Sequence, residues 1–138
     1  MSQPSGASPK VLVCCTAAGL PFLKDCLAGY VQLVPAFSME EATALLDSSF
    51  QLVLATLQFD DSRMFDLLRW VHAEFPAIPF VSCAVVESAL PPPSLERAGS
   101  VATSLGAQDF IDAQRCDASH LRRMVLGNLA HPSAQGRQ

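Results

Sequence analysis

Short, uninterrupted apolar runs separated by longer amphipathic stretches leave this chain very few architectures. Val11-Leu12-Val13-Cys14-Cys15 and Leu52-Val53-Leu54-Ala55-Thr56-Leu57 lack the polar alternation of a half-exposed strand, so strands made from them must be buried on both faces. Between and beyond these runs, apolar residues recur at helical spacing. Pro21, suited to a first helical turn, precedes Phe22, Leu23, Cys26, Leu27 and Tyr30. Ser38 and Glu41 form a capping-box pattern ahead of Ala42, Leu45 and Leu46. Phe65, Leu68, Val71 and His72 mark a third helix that stops before Pro76. Leu95, Ala98, Ala102 and Leu105 mark a fourth, with Gly106 suited to its C-terminal cap. Asp117 can cap a fifth, which carries Leu121, Met124, Val125 and Leu129. The remaining strands are expected at residues 31–34, 80–86 and 110–111.

Five successive β–α units predict an α/β fold. The expected form is a doubly wound, five-stranded parallel sheet in the order 2-1-3-4-5, a three-layer, flavodoxin-like sandwich. Ligands and chemistry in such sheets gather outside the C-terminal ends of the strands, here the first, third and fourth.

At 138 residues, half of them hydrophobic, the chain can fill one core. Residues 1–9 read as a flexible leader, 10–131 as the domain and 132–138 as a flexible tail. A net charge of -4 weighs against a nucleic-acid partner. The apolar runs fall short of the ~18–20 residues that span a bilayer, and the polar N-terminus is unlike a signal peptide. The cysteines are odd in number and several lie in apolar runs, which suits small core residues in a reducing cytoplasm. His72, His120 and His131 lack ligand spacing with cysteines or acids, and no Gly-rich phosphate loop occurs. Neither a metal nor a cofactor is expected. Trp70 lies off the helical stripe and reads as a helix-edge packing residue.

Three segments carry a family likeness. They are Lys10-Val11-Leu12-Val13, the run Gln51 to Thr56 followed by Phe65-Asp66-Leu67-Leu68-Arg69-Trp70-Val71, and Leu105-Gly106-Ala107-Gln108-Asp109-Phe110-Ile111. In sequence and spacing they resemble the CheY-like receiver domains of bacterial response regulators, from Lys10 to about Ala130. An active receiver has a nucleophilic aspartate, an acidic pair for Mg²⁺, a hydroxyl residue and a lysine. The resemblance places the phospho-acceptor position on Thr56 and the acidic pair on Cys15 and Thr16. It places the hydroxyl position on Ala84, with Ser82 as the alternative two residues earlier, and the lysine on Ala113. No acid occurs between Lys10 and Lys24, or between Asp47 and Asp60, so a shift of one or two residues restores nothing. Removing the carboxylates removes the metal that neutralises charge on an incoming phosphoryl group.

The expected function is therefore that of a stand-alone pseudo-receiver, a non-enzymatic, phosphorylation-independent protein-interaction module in bacterial two-component-type signalling. Its partner would be a kinase, a regulator, a cellular machine or a second copy. The chain stops just after the fifth helix, so action in trans is expected, with a detached piece of a larger regulator as another reading. The family's common interaction face combines the fourth helix, fifth strand and fifth helix. Here it would contribute Arg97, Asp109, Phe110, Arg122 and Arg123, with Phe110 at the family's switch aromatic. Asp109 could pair with Arg122 or Arg123 across an interface and set its register. Pro91, Pro92 and Pro93 are expected to stiffen the loop before the fourth helix toward polyproline II, locking it rather than switching it.

A different class of function attaches to Cys14 and Cys15. A cysteine ending a first strand ahead of a Gly-containing loop resembles the cysteine-phosphorylated IIB components of sugar phosphotransferase systems. That chemistry wants a thiolate held by loop amides and a helix N-terminus. Pro21 removes one such amide, and only Thr16 supplies a hydroxyl. A low-molecular-weight tyrosine phosphatase would need arginine six positions after its cysteine, where Leu20 and Pro21 stand.

Overall fold

Five parallel strands form a single sheet in the order β2-β1-β3-β4-β5 in the computed structural model of the chain. Residues 8–114 and 117–129 are described, with the backbone alone at Glu87. The strands are β1 (Lys10–Cys14), β2 (Gln32–Ala36), β3 (Leu52–Thr56), β4 (Phe80–Ala84) and β5 (Asp109–Asp112). Among the described residues five longer helices connect or follow them, α1 (Leu20–Leu27), α2 (Met39–Leu45), α3 (Met64–Glu74), α4 (Pro92–Ser104) and α5 (Ala118–Gly127), with a single short helical turn at Phe59–Ser62 ahead of α3. The expected doubly wound architecture is the one observed. Of the expected leader only Ser8 and Pro9 are described, and Cys116 and the expected tail lie outside the described residues. No helix among the described residues is long and apolar enough to cross a membrane.

The continuous apolar runs become central strands, and every residue of β3 and β4 is buried. Alternate side chains leave the sheet on opposite faces. Val11, Val13, Cys15, Leu52 and Leu54 meet α1 and α5 on one face. Leu12, Cys14, Val53 and Ala55 meet α2, α3 and α4 on the other. Pro35 sits in β2, an edge strand, where a missing ladder donor is tolerated.

Helix ends follow the capping chemistry read from the sequence. The Ser38 hydroxyl accepts from the Glu41 amide at 3.1 Å, while the Glu41 carboxylate accepts from the Phe37 amide at 2.7 Å. Asp117 accepts from the His120 amide at 2.9 Å and starts α5. Gly106, just past α4, takes φ +114, and a Cβ there would lie 2.6 Å from Nδ1 of His72. Only glycine accommodates both the left-handed backbone and the imidazole lying against it.

Three local expectations need correction. The buried stripe of α3 is Met64, Leu67, Leu68 and Val71, one step round from the expected set; Phe65 is half-buried and His72 exposed. The observed residues follow i, i+3, i+4, i+7, the better helical spacing, and the sheet selects that stripe. β4 ends at Ala84 and is followed by a tight turn, Val86–Ser88, instead of continuing as a strand. The prolines do not form a polyproline loop. Only Pro91 is extended (φ -70, ψ 160), while Pro92 and Pro93 open α4. First-turn amides have no intrahelical acceptor, so proline loses nothing there.

Candidate functional site

The sheet brings the C-terminal ends of β1, β3 and β4 together, as the fold class requires. Cys14 is level with Ala55, and Thr56 with Cys83. Cys15 and Thr56 each follow one residue on, so Cys15, Thr56 and Cys83 succeed one another across the sheet, all fully buried. Thr56 Oγ1 and Ser82 Oγ have no hydrogen-bond partner among the described residues. A buried hydroxyl left so costs about 1–3 kcal/mol. Ala84 and Ala113 are also buried and are joined by the Ala113 amide donating to the Ala84 carbonyl at 2.7 Å. Methyl groups therefore stand at two of the five positions singled out from the sequence.

The loop after β1 is closed on itself. The Thr16 hydroxyl accepts from the Gly19 amide at 3.1 Å, and its carbonyl accepts from Gly19 and Leu20 at 3.1 and 3.2 Å. Pro21 has no amide hydrogen, so these bonds use the donors that an anion at this turn would need. Burial pushes the Cys14 thiol well above its ordinary range, and neighbouring Cys15 adds to the shift. A protonated, fully buried thiol is a poor nucleophile. A small cavity of about 110 Å³ lies between the start of α1 and the segment just after β4, lined by Ala18, Gly19, Phe22, Val85 and Val86.

The nearest acids beyond β3 are turned elsewhere. Asp60, Asp61 and Ser62 take left-handed φ of 43, 58 and 67 in the short turn Phe59–Ser62. Asp60 accepts from the Met39 amide at 2.7 Å, bonding to the first turn of α2, and lies 3.6 Å from Arg63. Non-glycine residues in this region are strained by about 1–2 kcal/mol each, and the bond to α2 offsets part of that cost. Among the described residues no three His, Cys, Asp or Glu side chains are grouped to hold a metal.

Polar side chains that the sequence reading passed over tie down the loop between β4 and α4. The Ser88 hydroxyl donates to Gln58 in the loop after β3 and accepts from the Val85 amide at 3.2 Å. At the other end, Gln114 accepts from the Leu90 amide at 2.7 Å and donates to the Leu90 carbonyl at 3.2 Å. The available signal was a polar side chain two residues past the ends of β3 and β5. Neither glutamine belongs to a local motif, so spacing alone did not single it out.

The expected interaction face is divided. Arg97 is exposed on α4. Phe110 is half-buried against the same helix, where a Cβ on Gly99 would lie 3.1 Å from its ring. Asp109 accepts from its neighbour's amide at 2.8 Å and from Asn128 at 3.0 Å, both neutral donors. Arg122 lies apart, on the seam between α1 and α5. Its Nε donates to the Cys26 carbonyl at 2.8 Å and its guanidinium lies 4.2 Å over the Tyr30 ring. Burying Leu121 and Val125 turns the next position toward α1, where a cation satisfies a last-turn carbonyl. Arg123 is exposed. No ion pair joins Asp109 to either arginine among the described residues; those present link Arg63 and Arg69 to Asp60 and Asp66.

No family model matches the sequence, and no curated protein matches it. Solved structures match over most of its length. An orphan response regulator of H. pylori superposes with a TM-score of 0.71 at 17% identity, over 92% of this chain and 100% of the other. The receiver domain of NtrX from Brucella abortus gives 0.70 at 21% identity, over 86% and 97%. The non-phosphorylated HemR receiver domain from Leptospira biflexa gives 0.67 at 23% identity, over 91% and 98%. At these identities the likeness is one of fold: the chain has the architecture of response-regulator receiver domains.

Proposed function

We propose that the chain is a receiver-like protein-interaction module that accepts no phosphoryl group. The observation that carries this reading is the chemistry at the strand ends. By the family resemblance, Cys15, Thr16 and Thr56 take the positions a receiver gives to its acids, and Ala84 and Ala113 those of its hydroxyl and lysine. Mg²⁺ demands oxygen ligands near ideal octahedral geometry, chiefly carboxylates and phosphates. Two cysteine- and threonine-bearing strand ends do not supply that set. Thr56 is fully buried, away from a phosphodonor, and among the described residues no base accepts its proton.

The bonded loop supports a role without switching. A receiver that responds to phosphate must let the segment after β4 move toward it. Here Ser88–Gln58 and Gln114–Leu90 hold that segment at both ends. What remains is a surface offered to a protein partner: a kinase, a regulator or a cellular machine. The alternative, a phosphocarrier on Cys14 or Cys15, is disfavoured by complete burial and by the consumed amides of the loop after β1.

Intact-mass spectrometry after incubation with acetyl phosphate and Mg²⁺, and separately with phosphohistidine-carrier protein, tests both readings. The expected result is no phosphoryl adduct. A stoichiometric phosphate on Thr56 overturns the proposal, and one on Cys14 or Cys15 replaces it with the phosphocarrier.

A further inference from the structure

We infer that the left-handed turn Phe59–Ser62 is a strained latch, tying the start of α2 to the loop ahead of α4 so that the two open together. The inference goes beyond the reading of the chain as an interaction module and does not depend on it. Phe59 is fully buried and fixes the turn in the core, shortly after β3. Gln58 and Asp60, on either side of it, each make one long-range bond. Asp60 accepts from the Met39 amide at 2.7 Å across 21 residues, and Gln58 accepts from the Ser88 hydroxyl across 30. Met39 is the first residue of α2, so its amide has no acceptor within the helix. Ser88 in turn accepts from the Val85 amide at 3.2 Å and so holds the tight turn after β4.

The backbone between these bonds makes them interdependent. Asp60, Asp61 and Ser62 are consecutive left-handed residues, none of them glycine. Aspartate tolerates this region better than most residues, and serine less well. Residues in such conformations persist only where their surroundings over-determine them, and they gather at switch elements. Here the buried Phe59 and the two long-range bonds do the determining. The turn is closed by the Arg63 amide on the Phe59 carbonyl at 2.7 Å and by the Ser62 amide on the Gln58 carbonyl at 3.4 Å. Relaxing it to right-handed values re-aims the Asp60 carboxylate and breaks the bond that holds Gln58 to Ser62. Such a coupling is reciprocal. Whatever draws Asp60 from α2 frees Gln58, and whatever draws Ser88 from Gln58 frees Asp60.

Amide hydrogen exchange of the full chain, followed by NMR, tests the link. Met39 reports one bond, Val85 reports the other, and amides inside β1 gauge opening of the whole sheet. Asp60→Ala is expected to quicken Met39 about tenfold and Val85, beyond the turn, about threefold. Ser88→Ala leaves the α2 bond untouched and is expected to quicken Met39 about threefold. Asp60→Asn keeps an oxygen acceptor and is expected to stay within about twofold of the parent at Val85. Ser62 is exposed, and its variants change the strain without removing either bond. Valine there, at φ 67, is expected to quicken both reporters, and glycine to slow both. The β1 amides are expected to keep their rates in every variant. The latch is overturned if Asp60→Ala acts on Met39 alone, if Ser88→Ala leaves Met39 unchanged, or if a Ser62 variant moves one reporter without the other. A quickening at Val85 in Asp60→Asn as large as in Asp60→Ala also overturns it, as do β1 amides that quicken as much as Val85. Phosphate on Thr56 or a cysteine would instead sink the module reading, and the exchange test does not depend on it.

Discussion

On one face of the sheet, α3 buries Met64, Leu67, Leu68 and Val71 within eleven residues, whereas its neighbour α4 buries only Ala102 within thirteen. A fully buried Leu, Met or Val side chain contributes roughly 1.5–3 kcal/mol, so α3 is held chiefly by the core. α4 has little such burial to draw on. It is placed by Pro92 and Pro93 in its first turn, by Phe110 against Gly99, and by Ser88 and Gln114 bonding the loop before it. A helix fixed by its approaches keeps its outer face and one flank available. The same residue economy that weakens α4 as a core element leaves the space between it and β5 open.

The sharpest way to break this contrast is truncation in both helices. Leu68→Ala is expected to cost about 2–5 kcal/mol and Leu95→Ala about 1 kcal/mol or less, read from urea unfolding. Equal losses would mean that α4 is a core helix after all. Gln114→Ala comes next, with an expected loss of about 2 kcal/mol for two hydrogen bonds. Hydrogen exchange should then quicken at Leu90 and at Leu95, the first amide of α4 with an intrahelical acceptor, and stay slow in β3; an unchanged Leu95 would show that the loop bonds do not place α4.

The smallest effect belongs to the core side, where Cys14 packs in the same cluster as α3. Its thiol is raised in the folded state, so the stability it contributes is complete below the unfolded pKa of 9.0. Above that value the unfolded chain releases the proton first, and stability falls as pH rises toward the folded value. The loss is about 1 kcal/mol over the first pH unit. Cys14→Ala should flatten that alkaline slope in a comparison of unfolding curves. A slope as steep as before would place the titration elsewhere.

Much of the fold was legible in residues 10–129. Uninterrupted apolar runs marked β1 and β3, Ser38 and Asp117 marked the starts of α2 and α5, and the succession of units led to the strand order. The stripe on α3 was read one position off, because Phe65 and His72 belong to the next row on the helix and a single sequence does not say which row meets the sheet. The candidate site was legible only as the residue identities that the family resemblance sets at the strand ends. Its fastenings were not, since Gln58 meets Ser88 across 30 residues and Leu90 meets Gln114 across 24.

Which runs form the central strands, where α2 and α5 begin, and which residues stand at positions 15, 16 and 56 were determined by the sequence alone. Those are local matters: apolar continuity, capping groups and residue identity. The rotation that carries Arg122 to Cys26 and Tyr30, the seating of Pro92 and Pro93 inside α4, and the left-handed turn that ties Asp60 to α2 were decided only by the tertiary structure. Each depends on which neighbour a side chain meets once the layers pack, and that is a property of the assembled sheet and helices together.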